Sequence, residues 1–199
     1  MIGNKLEQSI ISVFLENLSE TFSINSISKI LKKSYPNINK KSNYLISEGI
    51  LGKLEIGKSY QCYLNLNNDK AKIFMAMNEI NKRDSLICKD KRMQSIVEEM
   101  YALGKRFGID TALMYKKSII IILSDIGSRK QILDMSILTK DHNIVFFDKS
   151  AFQEYFLGNP DLQKYHYVIL NTENYVSIIA ALSDRILMRK YVDKANSYH

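Results

Sequence analysis

This chain of 199 residues has two cysteines, two prolines and three histidines. Cys62 and Cys88 are not in a Cys-x-x-Cys spacing, which excludes a disulfide framework and a zinc motif of the usual kind. His142, His166 and His199 lie far apart without metal-ligand spacing, so each is assigned a surface or terminal place. No apolar run approaches the ~20 residues needed to span a bilayer, and the N-terminus lacks a signal-peptide pattern. A Walker-type loop and a Gly-x-Gly-x-x-Gly fingerprint are both missing, as are internal repeats and low-complexity tracts. The expectation is a cytoplasmic protein that uses no cofactor and no membrane.

What is present is a core-forming composition and a surplus of positive charge. The length allows one large domain or two small ones. A net charge of +7 implies an acidic partner without specifying a fold.

The most informative stretch is Asn25 to Leu64. Ile27, Ile30 and Leu31 recur at helical spacing and predict one apolar stripe, with Asn25 or Ser26 as the cap. Ser34-Tyr35-Pro36-Asn37 breaks the pattern, because the residue before proline is pushed out of the helical region and Pro suits the first position of a new helix. Ile38, Leu45 and Ile46 give the second helix its inward stripe, and Gly49 stands where a C-cap is expected. Leu51 to Ile56 and Tyr60 to Leu64 then alternate around Gly57-Lys58, a hairpin signature.

From Lys29 to Leu64 there are seven lysines (29, 32, 33, 40, 41, 53 and 58) against Glu48 and Glu55, leaving +5. Lysines suit phosphates as point charges, and asparagine can pair bidentately with adenine. The same segment contains no arginine, so the fork that reads guanine best is missing. The bland alternative is a Lys-rich, Asn-rich face that merely meets water.

The run Tyr44-Leu45-Ile46-Ser47-Glu48-Gly49-Ile50-Leu51, with Gly57-Lys58-Ser59-Tyr60 through Leu66, resembles the winged helix-turn-helix domains of archaeal and bacterial transcriptional regulators. The resemblance covers about residues 5 to 68. It implies DNA contacts from Ser34 and Tyr35 at the turn, from Asn37, Asn39, Lys40, Lys41 and Asn43 on the second helix, and from Lys53 and Lys58 in the wing.

Elsewhere, Leu6 to Leu18 predicts an opening helix, and Phe22-Ser23-Ile24 a short strand pairing with the wing. Asn67-Asn68-Asp69 caps a helix that Arg83-Asp84-Ser85 is expected to interrupt. Lys91 to Phe107 predicts another, with Met93, Ile96, Val97, Met100 and Leu103 in a stripe and Gly108 at the end. That stripe can pack within the monomer or across a two-fold axis. It is the favoured dimer surface, ahead of Ile178, Ile179, Leu182 and Ile186 near the C-terminus.

After Gly108 come three strand signals: Ser118 to Leu123 (preceded by a weaker one at Thr111 to Met114), Ile144 to Phe147, and Tyr167 to Leu170. Helices are expected between them, one to about Thr139 with Ile132, Leu133, Met135 and Ile137, one from Asp148 through Phe156. A single long helix closes the chain. Together these give an α+β or α/β chain: a winged helix at 1–68, a helical linker at 69–108 that holds the boundary, and a small α/β domain with a partly parallel sheet at 109–199.

The order from Ser118 to Leu170 resembles archaeal proteins in which a winged helix is fused to a nucleotidyltransferase-like domain. An active member would need an Asp-x-Asp pair after its Gly-Ser loop. Gly127-Ser128 is present, but Asp125, Asp134 and Asp141 do not form such a pair, so a degenerate, non-catalytic copy is implied. Ser124 to Ser128 has two readings, a small-anion site or an ordinary strand-to-helix turn.

The sequence reading is thus a sequence-specific, double-stranded-DNA-binding transcriptional regulator acting as a homodimer. A small-molecule or protein effector would act at the C-terminal domain. The alternatives are an adaptor whose winged helix contacts protein and, behind it, a nucleotidyltransferase-like enzyme.

Overall fold

The computed structural model describes residues 5–56, 59–136 and 141–188, without the side chains of 56 and 59. It is a mixed α+β structure with two sheets. The residues fall into two compact units. One is built from the chain up to Met75 and from Ala180 onward, the other from Ala76 to Ile179.

The first unit is a winged helix-turn-helix. Its helices are α1 (Lys5–Leu15), α2 (Ile24–Ile30) and α3 (Tyr35–Ser47), followed by the antiparallel strands β1 (Leu51–Ile56) and β2 (Ser59–Leu64). The expected short strand is a single bridge, Phe22 opposite Cys62. Ile10, Ile11, Phe14, Ile27, Ile38, Leu45, Ile50 and Cys62 form the core. Burial pushes the Cys62 thiol up to about 11, with Lys53 pulling the other way, so it stays a protonated core residue.

The stripe predicted on α2 holds only in part. Ser23, not Asn25 or Ser26, caps the helix, accepting from the Ser26 amide. Ile27 is buried with Ile24 and Ser28, and Leu31 is half-buried, but Ile30 is 50% exposed, because it falls outside the inward side that those residues define. On α3 the inward residues are Ile38, Ser42 and Leu45, while Ile46 is only half-buried.

The end of α3 is fixed by a double backbone lock. The Gly49 N–H donates to the Ile46 carbonyl and the Ile50 N–H to the Leu45 carbonyl, while Ile50 and Leu45 are both buried. Gly49 has φ of +70°, and a Cβ there would also meet Asn68 Nδ2 at 3.1 Å. Gly49→Ala is expected to cost about 1–2 kcal/mol, because an L side chain is unfavourable in this region. A urea melt that matches the unsubstituted protein would refute this capping role.

α4 (Asp69–Lys89) and α5 (Lys91–Phe107) follow. The break expected at Arg83-Asp84-Ser85 does not occur. α4 runs unbroken for 21 residues, Arg83 and Asp84 pair at 3.1 Å, and Leu86 and Ile87 resume packing against the second unit's core. A polar interval of this kind marks a solvent face and not an end.

The sheet of the second unit has the order β5-β4-β3-β6. Its strands are β3 (Ile109–Tyr115), β4 (Ser118–Leu123), β5 (Asn143–Phe147) and β6 (His166–Leu170). β3 is antiparallel to β4 and β6, and β4 is parallel to β5, so the sheet is partly parallel as expected. The β-branched run of β4 is central and buried from Ile119 to Leu123.

α5 covers one face of this sheet, and here the dimer expectation needs correction. Met93, Ile96, Val97, Met100 and Leu103 are all buried in one cluster with Ile109, Met114, Ile119, Ile121 and Leu170. A Cβ on Gly104 would lie 2.8 Å from Leu170, so helix and sheet approach closely there. The stripe is spent inside the monomer because the sheet offers a matching apolar face. Ile178, Ile179, Leu182 and Ile186 are buried as well.

The remaining helices are α6 (Arg129–Met135), α7 (Lys149–Gly158), α8 (Pro160–Tyr165) and α9 (Thr172–Ala180). On α6 Ile132 is buried, but Leu133 and Met135 are exposed; Ile137 and Thr139 lie outside the described residues. The expected stop at Gly158-Asn159-Pro160 is real, but Asn159 then caps the short α8 by accepting from the Leu162 amide. The long closing helix is interrupted: α9 ends at Ala180, and the chain is helical again at 183–188, the last of the described residues. His166, assigned above to the surface, is instead buried on β6.

Candidate nucleic-acid interface

Nine residues were singled out for DNA contact, and α3 carries most of them. Burial of Ile38, Ser42 and Leu45 turns the opposite side of the helix outward. Asn37, Lys40, Asn43, Tyr44 and Ser47 are exposed along that side, at the spacing of successive turns. Asn39 is half-buried, and its Oδ1 accepts from Asn43 Nδ2 at 3.1 Å. Ser34 stands exposed at the N-cap position, although its side chain makes no capping bond. Tyr35 opens the helix 49% exposed.

The wing adds Lys53, exposed on β1, with its ammonium 4.6 Å from the Tyr60 ring centre on β2. The Tyr60 phenol is held above its ordinary value by burial first, then by Cys62 and Tyr35, which places the Tyr35 hydroxyl in its electrostatic range. Lys58 lies outside the described residues.

Lys41 has a different place. Its ammonium donates to Glu7 Oε1 at 2.7 Å, and the Glu7 side chain is only 5% exposed on α1. A carboxylate this deep needs a partner, and α3 supplies it from its flank. Sequence reasoning missed Glu7 because one acid in the first turn of a helix reads as a solvated residue. Lys41→Ala is expected to destabilise the unit by about 2 kcal/mol, below the roughly 3–5 kcal/mol of fully buried pairs because this ammonium keeps some water. Thermal melts of Lys41→Ala and Lys40→Ala check it: only the first should fall, and equal melting would sink the distinction.

Three further lysines flank α3: Lys29 at the end of α2 and Lys32 and Lys33 in the turn, all exposed. None of Lys29, Lys32, Lys33, Lys40 and Lys53 is in an ion pair among the described residues, whereas Lys41, Lys70 and Lys72 of the same unit are. Glu48, one of the segment's two acids, is held by Lys70 at 2.5 Å. The surface around the outer face of α3 therefore presents its positive charges unneutralised.

The second unit brings no comparable groups together. The Asp125 carboxylate accepts from the Gly127 amide at 2.8 Å and caps the turn itself. An acid in that position opposes an anion, so Ser124 to Ser128 is an ordinary turn. Asp141 precedes β5 and Asp125 follows β4, and these strands are parallel, so the two acids stand at opposite ends of the sheet. Asp134 is exposed on α6. Among the described residues no cluster of three potential metal ligands exists, and no helix is long and apolar enough to cross a membrane.

Among solved structures the chain is similar to MepR, a transcription regulator of the Staphylococcus aureus multidrug efflux pump MepA. The TM-score is 0.36 at 12% identity, covering 50% of this chain and 78% of that one. A mutant of MepR from a multidrug resistant S. aureus clinical isolate gives a TM-score of 0.35 at 11% identity, covering 51% and 79%. No family model and no curated protein matches. So distant a likeness carries no argument about what this chain binds.

Proposed function

We propose that this chain is a cytoplasmic transcriptional regulator that binds double-stranded DNA through α3 and the wing. The observation that carries the reading is the set of five exposed lysines without ion pairs among the described residues, drawn from α2, the turn, α3 and β1 around the outer face of α3. A helix-turn-helix offers its second helix to the major groove, and the lysines flanking it meet phosphates on either side. Each neutralised phosphate releases counterions, so affinity should fall steeply with salt. Titration of labelled duplex at several salt concentrations tests the reading, and an affinity independent of salt would overturn it. Ile30, Tyr35 and Tyr44 are exposed on the same unit and favour the adaptor alternative, in which a protein is captured and duplex is not.

The regulator is proposed to act as a homodimer, because one winged helix buries only about 600–1,000 Å² on DNA and a two-fold pair doubles the sequence read. Neither apolar stripe favoured by the sequence is left for this purpose. Met77 and Ile80 on α4 and Tyr101 on α5 are exposed within the second unit and supply an alternative surface. Sedimentation at micromolar concentration should show a dimer that Met77→Glu with Ile80→Glu dissociates without unfolding. A monomer in the unsubstituted protein would rule out the dimer.

A further inference from the structure

The base-reading chemistry of α3 can be taken further, on the premise that this face enters the major groove. Among the outward residues of α3 are two amides with one cation between them: Asn37, Lys40 and Asn43. The sequence has no arginine before Arg83, so the planar five-donor fork best suited to guanine is missing from this helix and the wing. An amide carries one acceptor and two donors on adjacent atoms. Adenine shows the complement in the major groove, an N6 donor beside the N7 acceptor, whereas guanine shows two acceptors.

The Asn43 amide is already oriented. One of its Nδ2 hydrogens is taken by Asn39 Oδ1 at 3.1 Å, one helical turn back. Its second Nδ2 hydrogen and its Oδ1 remain, which is the donor–acceptor pair adenine requires. Holding the amide in advance lowers the rotamer entropy given up on binding. Asn37 makes no side-chain hydrogen bond among the described residues and is fully available. Tyr44, exposed beside Asn43, offers an apolar ring edge to a thymine methyl. The two amides are six residues apart, about 9 Å along the helix, which matches roughly two to three base-pair steps of about 3.4 Å.

We infer that Asn37 and Asn43 are the specificity-determining residues of this protein, and that they select a duplex with adenines at two positions about two to three base pairs apart. Lys40, between them, serves the backbone.

Selection of the full-length protein against a randomised duplex pool, followed by titration of the recovered sites, tests this. The expected result is A·T at two such positions. Replacing each adenine in turn with 7-deazaadenine, which deletes N7 and keeps base pairing, should weaken binding about tenfold to a hundredfold. Asn43→Ala should lose the preference at one of the two positions and become indifferent to the deaza base there. Its affinity for an unrelated duplex should be unchanged, and Asn37→Ala should do the same at the other position. Lys40→Ala should weaken all duplexes alike. A G·C preference at these positions, or uniform weakening by the asparagine variants, would overturn the inference while leaving DNA binding intact. Failure to retain any duplex would bring down the proposed function itself, and this inference with it.

Discussion

Alanine at Lys33, Lys40 and Lys53 together is expected to lower affinity for duplex DNA by on the order of a hundredfold to a thousandfold near physiological salt. The three come from the turn, α3 and β1, so they sample the whole interface rather than one helix. Net charged hydrogen bonds fall near 1.5–3 kcal/mol, and exposed ammonium–phosphate pairs sit at the low end, about tenfold each. The slope of log affinity against log salt should flatten by nearly three units, about 0.9 for each phosphate left without its lysine. All three side chains are exposed without ion pairs among the described residues, so the melting temperature should hold. A folded triple variant with undiminished affinity and slope would show that DNA does not dock here.

The second large effect belongs to the other unit. Glu79 on α4 is 3% exposed, and so deep an acid would be costly alone. Lys82 Nζ reaches both of its oxygens at 3.1 Å, and His166 Nε2 lies 3.4 Å from Oε2, an ion-pair distance rather than a close hydrogen bond. His166 Nδ1 is 2.7 Å from the Leu162 carbonyl, which can only accept, so that nitrogen carries a proton. Tyr175 and Phe156 pack edge-on or tilted around the imidazole at 5.0 and 6.3 Å. Burial, with the Glu79 charge adding to it, pushes the Tyr175 phenol well above its ordinary value and keeps it neutral.

Removing the carboxylate with Glu79→Ala strands Lys82 and His166 beside a cavity, and should cost about 3–5 kcal/mol. Glu79→Gln keeps the volume and an acceptor, and should cost less. Acidity supplies a second readout. Burial alone would raise the Glu79 carboxyl, but His166 and Lys82 outweigh it and hold the group below the usual carboxylate range. A group depressed on folding contributes stability above its unfolded value, about 4.3, and loses it as pH falls from there through the folded value. Urea melts through that acid window should therefore converge for the unsubstituted protein and Glu79→Gln. A constant gap between them would refute the coupling.

The elements of the winged helix were legible because each rests on local chemistry. Pro36 lies in the first turn of α3, Gly49 in the left-handed region follows its end, and strict alternation in Tyr60 to Leu64 marks a strand facing the core on one side. β4 was equally plain, since the five consecutive apolar residues Ile119 to Leu123, four of them β-branched, suit a strand covered on both faces. α8 was missed because six residues with one buried leucine carry no periodicity to read.

What local pattern could not decide was which partner each surface meets. The apolar stripe of α5 has the same spacing whether it covers a sheet or a second subunit, and only the assembled sheet, with Ile119, Ile121 and Leu170 turned toward it, settles the matter. Lys40 and Lys41 are neighbours of identical chemistry. Their fates diverge because a step of about 100° around α3 turns one to solvent and the other toward Glu7, 34 residues earlier in the chain. His166 and Glu79 are 87 positions apart and meet only when α4 reaches β6, which no spacing along the chain announces. The sequence by itself determined the three helices, the hairpin strands and the Gly49 stop of the winged helix, because those are fixed by backbone geometry within a few residues. Tertiary structure alone decided which charges are buried in pairs and which remain for a ligand, because burial is a property of what packs from elsewhere.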